Sequence, residues 1–157
     1  MFDSLVIRPA LLPMDTASLL SIEKASFPED RQWNAHDFTT TYNRPGTHIM
    51  VVEQSYRDFN TKINKYFTST RIIGFFIYSV HIGIKRIEHY LESLAILPEN
   101  RRTGLASMFI DKLMGLCISC LTDLDRSSSK IKHFRIRTVV GEDNLPAHLL
   151  LRKLGFI

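Results

Sequence analysis

Apolar positions along this chain recur with two periods, and the switches between them predict its elements. Residues 5–8 alternate weakly and stop at Pro9, which reads as a first strand. Asp15 or Thr16 can cap a helix running to about Ser26, with Leu19, Leu20, Ile22, Glu23 and Phe27 on its inward face and Pro28 ending it. Asn34 caps a second short helix to about Thr41, and residues 44–47 form a turn. Residues 48–54 and 71–81 are rich in β-branched and aromatic side chains and read as the second and third strands. The stretch 55–70 between them is too long for a tight hairpin and is expected to be an insertion or extended loop. A fourth strand covers 89–97. The helix after it runs to about Leu121, with Leu105, Phe109, Leu113, Leu116, Cys117 and Cys120 as a broad buried stripe. A flexible polar loop is expected over 123–130. The clean alternation over 131–140 makes a fifth strand. The last helix spans 144–153, with Pro146 in its first turn and Gly155 as its C-cap. Phe156 and Ile157 are expected to begin a sixth strand.

This order carries no internal repeat and no linker, so residues 1–157 read as a single domain. The class is α/β (α+β), a mixed central sheet of about six strands flanked by four helices. The middle strands follow one another directly and should pair antiparallel, while the last two are separated by a helix and should pair parallel. With 45% hydrophobic residues the chain can bury a real core.

Charge narrows the partners. A net charge of +4 suits an anionic ligand or an acidic partner and falls short of a nucleic-acid signature. The stretch 55–71 interleaves Arg57, Lys62, Lys65 and Arg71 with Tyr56, Phe59, Tyr66 and Phe67, and reads first as a solvated loop with a local aromatic cluster. Cys117 and Cys120 fall within one turn of an apolar stretch and have no second pair, so they are expected to be small buried side chains rather than a redox or zinc site. The N-terminus carries an acid at position 3 and prolines at 9 and 13, unlike a leader or a membrane span. A cytoplasmic protein with no metal and no membrane partner is the expectation; a homodimer stays open.

Candidate chemistry concentrates in residues 92–110. An apolar run, Leu94 to Leu97, is broken by Pro98, Glu99 and Asn100. Then come Arg101, Arg102, Thr103, Gly104, Leu105 and Ala106, and a long helix begins. Ordinary helix starts favour acids in the first turn, because the free N–H groups there carry partial positive charge. This one has two arginines, a hydroxyl and a glycine instead. An electropositive helix start with little side chain over its amides suits a phosphate.

Arg101, Gly104 and Ala106 in the pattern Arg-x-x-Gly-x-Ala, after a strand ending in proline, resemble the acetyl-coenzyme A signature of the GNAT N-acetyltransferase superfamily. Asn144, Ala147, Leu150, Leu151, Gly155 and Phe156 resemble that family's Asn-x-x-Ala-x-x-Leu-Tyr-x-x-x-Gly-Phe helix. Glu23 through Trp33, with Phe27 and Pro28, resembles the opening of the branch that acetylates the N-terminal amine of ribosomal proteins.

The resemblance implies acetyl-CoA as cosubstrate and transfer of its acetyl group to an amine, of a protein or peptide first, by direct attack on the thioester. It implies that the backbone of Leu94, Ala95 and Ile96 pairs with the pantetheine arm like an added strand. The Leu94 amide would stabilise the oxyanion. Arg101, Arg102, Thr103, Gly104, Leu105, Ala106 and Ser107 would hold the pyrophosphate, with Gly104 leaving room for its oxygens. Asn144 would bond the cofactor near its pantetheine end. Glu92, two residues before Leu94 and on its face in an unbulged strand, is the candidate base, acting through water; His89 and Tyr90 are lesser candidates. Two positions depart from the family: Leu151 stands where a general-acid tyrosine is usual, and Val139 where the ribosomal-protein branch has a base glutamate. Most members also continue past Gly-Phe into a final hairpin, which sets the expectation of a truncated C-terminal hairpin. Two further readings therefore stand beside the first. One is a small-amine (polyamine or antibiotic) acetyltransferase, favoured if Glu23, Glu29, Asp30 or Glu53 line the groove. The other is a non-catalytic coenzyme A-binding module.

Overall fold

Five strands form one sheet in the order β1-β2-β3-β4-β5 in the computed structural model, which describes residues 4–126, 131 and 133–157. Along the chain these are β1 (Leu5–Pro9), α1 (Thr16–Ser26), α2 (Ala35–Asn43), β2 (Thr47–Asn60), β3 (Lys65–Ile82), β4 (Ile87–Ile96), α3 (Leu105–Arg126), β5 (Phe134–Thr138) and α4 (Leu145–Lys153). Single 3-10 turns stand at Glu29–Arg31 and Pro98–Asn100. β1 to β4 pair antiparallel, and β4 pairs β5 in parallel, so the mixed sheet expected from element order is formed.

Period-two alternation gives the sheet two apolar faces. Met50, Val52, Phe76, Tyr78 and Leu91 pack one way, against Leu105, Phe109, Leu113 and Cys117 of α3. Ile49, Val51, Phe75, Ile77 and Ala95 pack the other way, against Leu19 and Ile22 of α1 and Phe38 of α2. Gly74 lets α3 approach: a Cβ there would meet the Ala95 carbonyl at 2.9 Å and the Phe109 ring at 3.1 Å. The stretch Leu105–Leu124 is long and apolar enough to cross a membrane by length and composition alone, but its buried stripe seats it on the sheet as a core helix. Cys117 is buried and Cys120 half-buried, both free thiols; burial pushes the Cys117 thiol up to about 12.

Four expectations need correction. Most of the stretch 55–70 is not loop: β2 and β3 run through it as one long hairpin, in register from Ser55↔Thr70 to Asn60↔Lys65. Its arms carry polar residues on both faces and no helix covers them, so burial leaves no alternation to read; the backbone ladder and a Phe59–Tyr66 ring pair at 4.9 Å support it. The turn is tight because Asn64 adopts φ 51°, which asparagine tolerates. The helix α3 continues to Arg126, into the segment expected to be a polar loop; 127–130 lie outside the described residues. β5 is shorter than 131–140, and Phe156 and Ile157 form no strand, so the sheet has five strands rather than six. Finally, Asp15 stands at the N-cap of α1 without capping it. Its carboxylate instead accepts from Arg8 Nη1 at 2.7 Å and from the Leu11 N–H at 2.7 Å, and Arg8 also donates to Glu53.

Candidate functional site

The site is made where β4 parts from β5. Ile87 to Leu91 pair with Phe134 to Thr138, and the Thr138 hydroxyl donates to the Leu91 carbonyl at 3.0 Å on the last rung. Beyond that point β4 keeps only β3 as a partner. The gap is a cleft of about 510 Å³ with Glu92, Ser93 and Leu94 on one side and Val139, Val140, Asn144 and Leu151 on the other; Glu23, Phe27 and Trp33 close it from the α1 side. An open strand edge of this kind can hydrogen-bond an extended ligand through the backbone.

A bulge resets the strand at this point. Ile77 pairs with Ser93 and Tyr78 with Leu91, so Glu92 is the extra residue. The condition for Glu92 and Leu94 to share a face therefore fails: Leu94 instead packs on the α3 face, beside Leu91. The Glu92 carboxylate is gripped through both oxygens by Arg44, whose Nε also donates to Thr47 Oγ1 at 2.9 Å. Nothing in the sequence singled out Arg44, which lies 48 positions away and meets Glu92 only through the sheet. The pair borders a second, more open cleft of about 470 Å³, lined also by Ser79, His81 and Tyr90 and sharing Trp33, Leu91 and Val139 with the first. His89, by contrast, is sealed between the Tyr78 and Phe134 rings at 1% exposure and lines neither cleft.

At the far end of β4 lies the turn into α3. Arg101 turns back, donating from Nε to the Ile96 carbonyl at 2.9 Å and from Nη2 to Ser26 of α1 at 3.2 Å. It staples the turn to the sheet. Thr103 Oγ1 closes the turn on the Asn100 carbonyl at 2.7 Å. Arg102 at φ 61° and Gly104 at φ 88° both take left-handed conformations on the way into α3. Among the described residues, no acceptor meets the N–H groups of Gly104, Leu105, Ala106 or Ser107, and α3 has no acid in its first turn. A Cβ on Gly104 would meet no atom within 4 Å. Bare amides facing open space at a helix start attract an anion.

Asn144 caps α4, its Oδ1 accepting from the Ala147 N–H at 3.2 Å. Gly155 at φ 89° ends the helix, with the Phe156 N–H reaching the Leu151 carbonyl at 3.0 Å. Leu151 and Val139 both line the cleft, and neither side chain can exchange a proton. The cleft does carry Glu23. This carboxylate is 4% exposed, and its Oε1 accepts from the Trp33 N–H at 3.1 Å. Burial pushes its pKa above the ordinary carboxylate range, the Trp33 N–H pulls it back, and the Asp37 charge adds to the rise. Across the mouth, Arg31 and Asp143 pair at 3.3 Å, and the guanidinium holds the Asp143 carboxyl below its usual value. Among the described residues, no group of His, Cys, Asp and Glu is placed to hold a metal ion.

The sequence profile described as "Acetyltransferase (GNAT) family" matches residues 16–156. No curated protein matches the chain by sequence. Among solved structures, the aminoglycoside 6'-N-acetyltransferase AAC(6')-Ih of Acinetobacter baumannii superposes with a TM-score of 0.63 at 14% identity, over 98% of this chain and 91% of its own. The ribosomal-protein-S18-alanine N-acetyltransferase of Escherichia coli gives a TM-score of 0.61 at 17% identity, over 97% of this chain and 77% of its own. The F44R mutant of the BH1408 protein of Bacillus halodurans gives 0.66 at 11% identity, over 97% and 92%.

Proposed function

Since the chain belongs to the GNAT acetyltransferase family, we propose that it transfers the acetyl group of acetyl-CoA to the amine of a protein or peptide, by direct attack of that amine on the thioester. The observation that carries this reading is the alignment of two unsatisfied backbone surfaces: the open edge of β4 beyond Leu91 and the bare amides at the start of α3. They suit the two halves of one ligand, an extended amide-bearing arm and a pyrophosphate. Leu94, Ala95 and Ile96 would hold the arm, and the Leu94 N–H would face the oxyanion. Arg102 to Ser107 would cradle the phosphates, with Arg101 fixing the turn from behind and Asn144 at the cleft wall near the arm. When bound, acetyl-CoA supplies the activated acyl group.

The acceptor enters from the α1 side. Of the four carboxylates that would mark a small-polyamine groove, only Glu23 lines the cleft; Glu53 is held by Arg8. Phe27, Pro28 and Trp33 form an apolar wall, and the cleft continues past Val139 into the second one. A groove of that shape favours a peptide, as in the ribosomal-protein branch. Glu92, fixed by Arg44, is assigned to anchoring the acceptor end rather than to free proton exchange.

Calorimetry with acetyl-CoA tests the cosubstrate. The parent should bind at about micromolar Kd, about −8 kcal/mol. Gly104→Glu meets no atom but strains a left-handed backbone position, so its fold is checked by circular dichroism; the folded variant should lose at least about a hundredfold in affinity, because a carboxylate then faces the pyrophosphate. Equal binding by both chains would remove the α3 amides from the site. Release of coenzyme A thiol with free-amine hexapeptides against spermidine then separates the acceptor classes.

A further inference from the structure

We propose that Glu23 is the group that accepts the proton of the acceptor ammonium. The assignment rests on the acetyltransfer reading above. It starts from a gap in the cleft: Leu151 and Val139 cannot move a proton, and Glu92 is gripped through both oxygens by Arg44. Glu23 is the remaining carboxylate that the cleft wall buries. One oxygen, Oε1, is aimed by the Trp33 N–H at 3.1 Å. Fixing the Trp33 backbone would not need a charge, since a glutamine accepts the same hydrogen bond. Keeping an ionisable group on the inner face of α1 costs desolvation that a structural role does not require.

The step balances. The ammonium gives one proton to the Glu23 carboxylate, directly or through one water, and becomes a neutral amine. Its lone pair forms a C–N bond to the acyl carbon while the C–S bond breaks. The thiolate leaves and takes up the second amine proton through solvent. Glu23 returns its proton to solvent, so the products are amide, thiol and one released proton. A carboxylate raised by burial is better matched to this work than an exposed one. Asp37 from α2 acts on Glu23 electrostatically, and Arg31, Asp143 and Glu92, the last held by Arg44, line the same cleft.

The test compares the parent chain, Glu23→Gln and Glu23→Asp. Each is measured for acetyl-CoA binding by calorimetry and for thiol release with free-amine hexapeptides and spermidine across pH 5 to about 9. The expected result is unchanged acetyl-CoA affinity in all three and a fall of about a hundredfold or more in kcat/KM for Glu23→Gln. Its profile should also lose the acid limb that the parent shows above the ordinary carboxylate range, and Glu23→Asp should restore part of the rate. A Glu23→Gln variant that keeps the rate or the limb overturns the proposal, as does a uniform rate loss with the limb intact. The parent profile decides by itself if Glu23→Gln does not fold: no acid limb above the carboxylate range sinks the assignment. A parent that binds acetyl-CoA and acetylates none of the probes overturns it too. A parent that fails to bind acetyl-CoA refutes the acetyltransfer reading itself, which calorimetry registers separately.

Discussion

The two halves of β4 have similar composition and opposite fates. Ile87 to Leu91 lie between β3 and β5, with Ile87 and His89 almost fully buried. Residues 92–96 pair on one side only, after a bulge at Glu92, and face a cleft on the other. The first half spends its backbone groups on the sheet; the second keeps an edge free. The comparison teaches that the strand's neighbours, more than its side chains, decide which part is scaffold and which part is site.

If the halves are separable, damage to one should leave the other's property intact. Ile87→Ala should remove about 2–5 kcal/mol of stability in urea unfolding while leaving acetyl-CoA affinity unchanged. A matching loss of affinity would show that the halves act as one. The opposite sheet edge supplies a control that touches neither half. Arg8 holds the Asp15 carboxyl below its usual value, so the ion pair stabilises the fold above the ordinary carboxylate range and is lost as pH falls through the depressed native value. Asp15→Asn should therefore cost about 1.5–3 kcal/mol at neutral pH, and the gap to the parent should close on acidification. In the closed half, burial and then the neighbouring His48 lower the His89 pKa, which favours the neutral imidazole in the fold. Its contribution is present above the ordinary histidine range, and stability falls as pH drops below it, by at most about 1.4 kcal/mol per pH unit. His89→Leu should flatten that slope between pH 7 and about 5. At the fork itself, Thr138→Val removes the hydroxyl that closes the last rung and should cost about 1 kcal/mol. A larger loss of acetyl-CoA affinity than of stability would place the fork among the binding determinants.

Much of this was legible in residue order. The cap at Asn34, the glycine stop at Gly155 and the acid-free start of α3 are local devices, set by residues three or four apart, and they form as read; the Asn144 cap came only with the structure. The extended hairpin was not legible, because its pairing is carried by backbone groups between strands that bury neither face. Asp15 was misread for a related reason: its capping chemistry is local, but Arg8 offers a charged partner once β1 is laid beside it.

Residue order set the alternation that builds two apolar faces, the order of the elements, and the acid-free helix start of α3. Each depends on periodicity or on adjacent residues. Tertiary structure alone decided the bulge that turns Glu92 out of Leu94's face, the Arg44 clamp on that carboxylate, and the placement of Glu23 in the cleft wall. Those depend on register and packing between segments tens of residues apart, where a single-residue shift in a strand reverses which face a side chain meets.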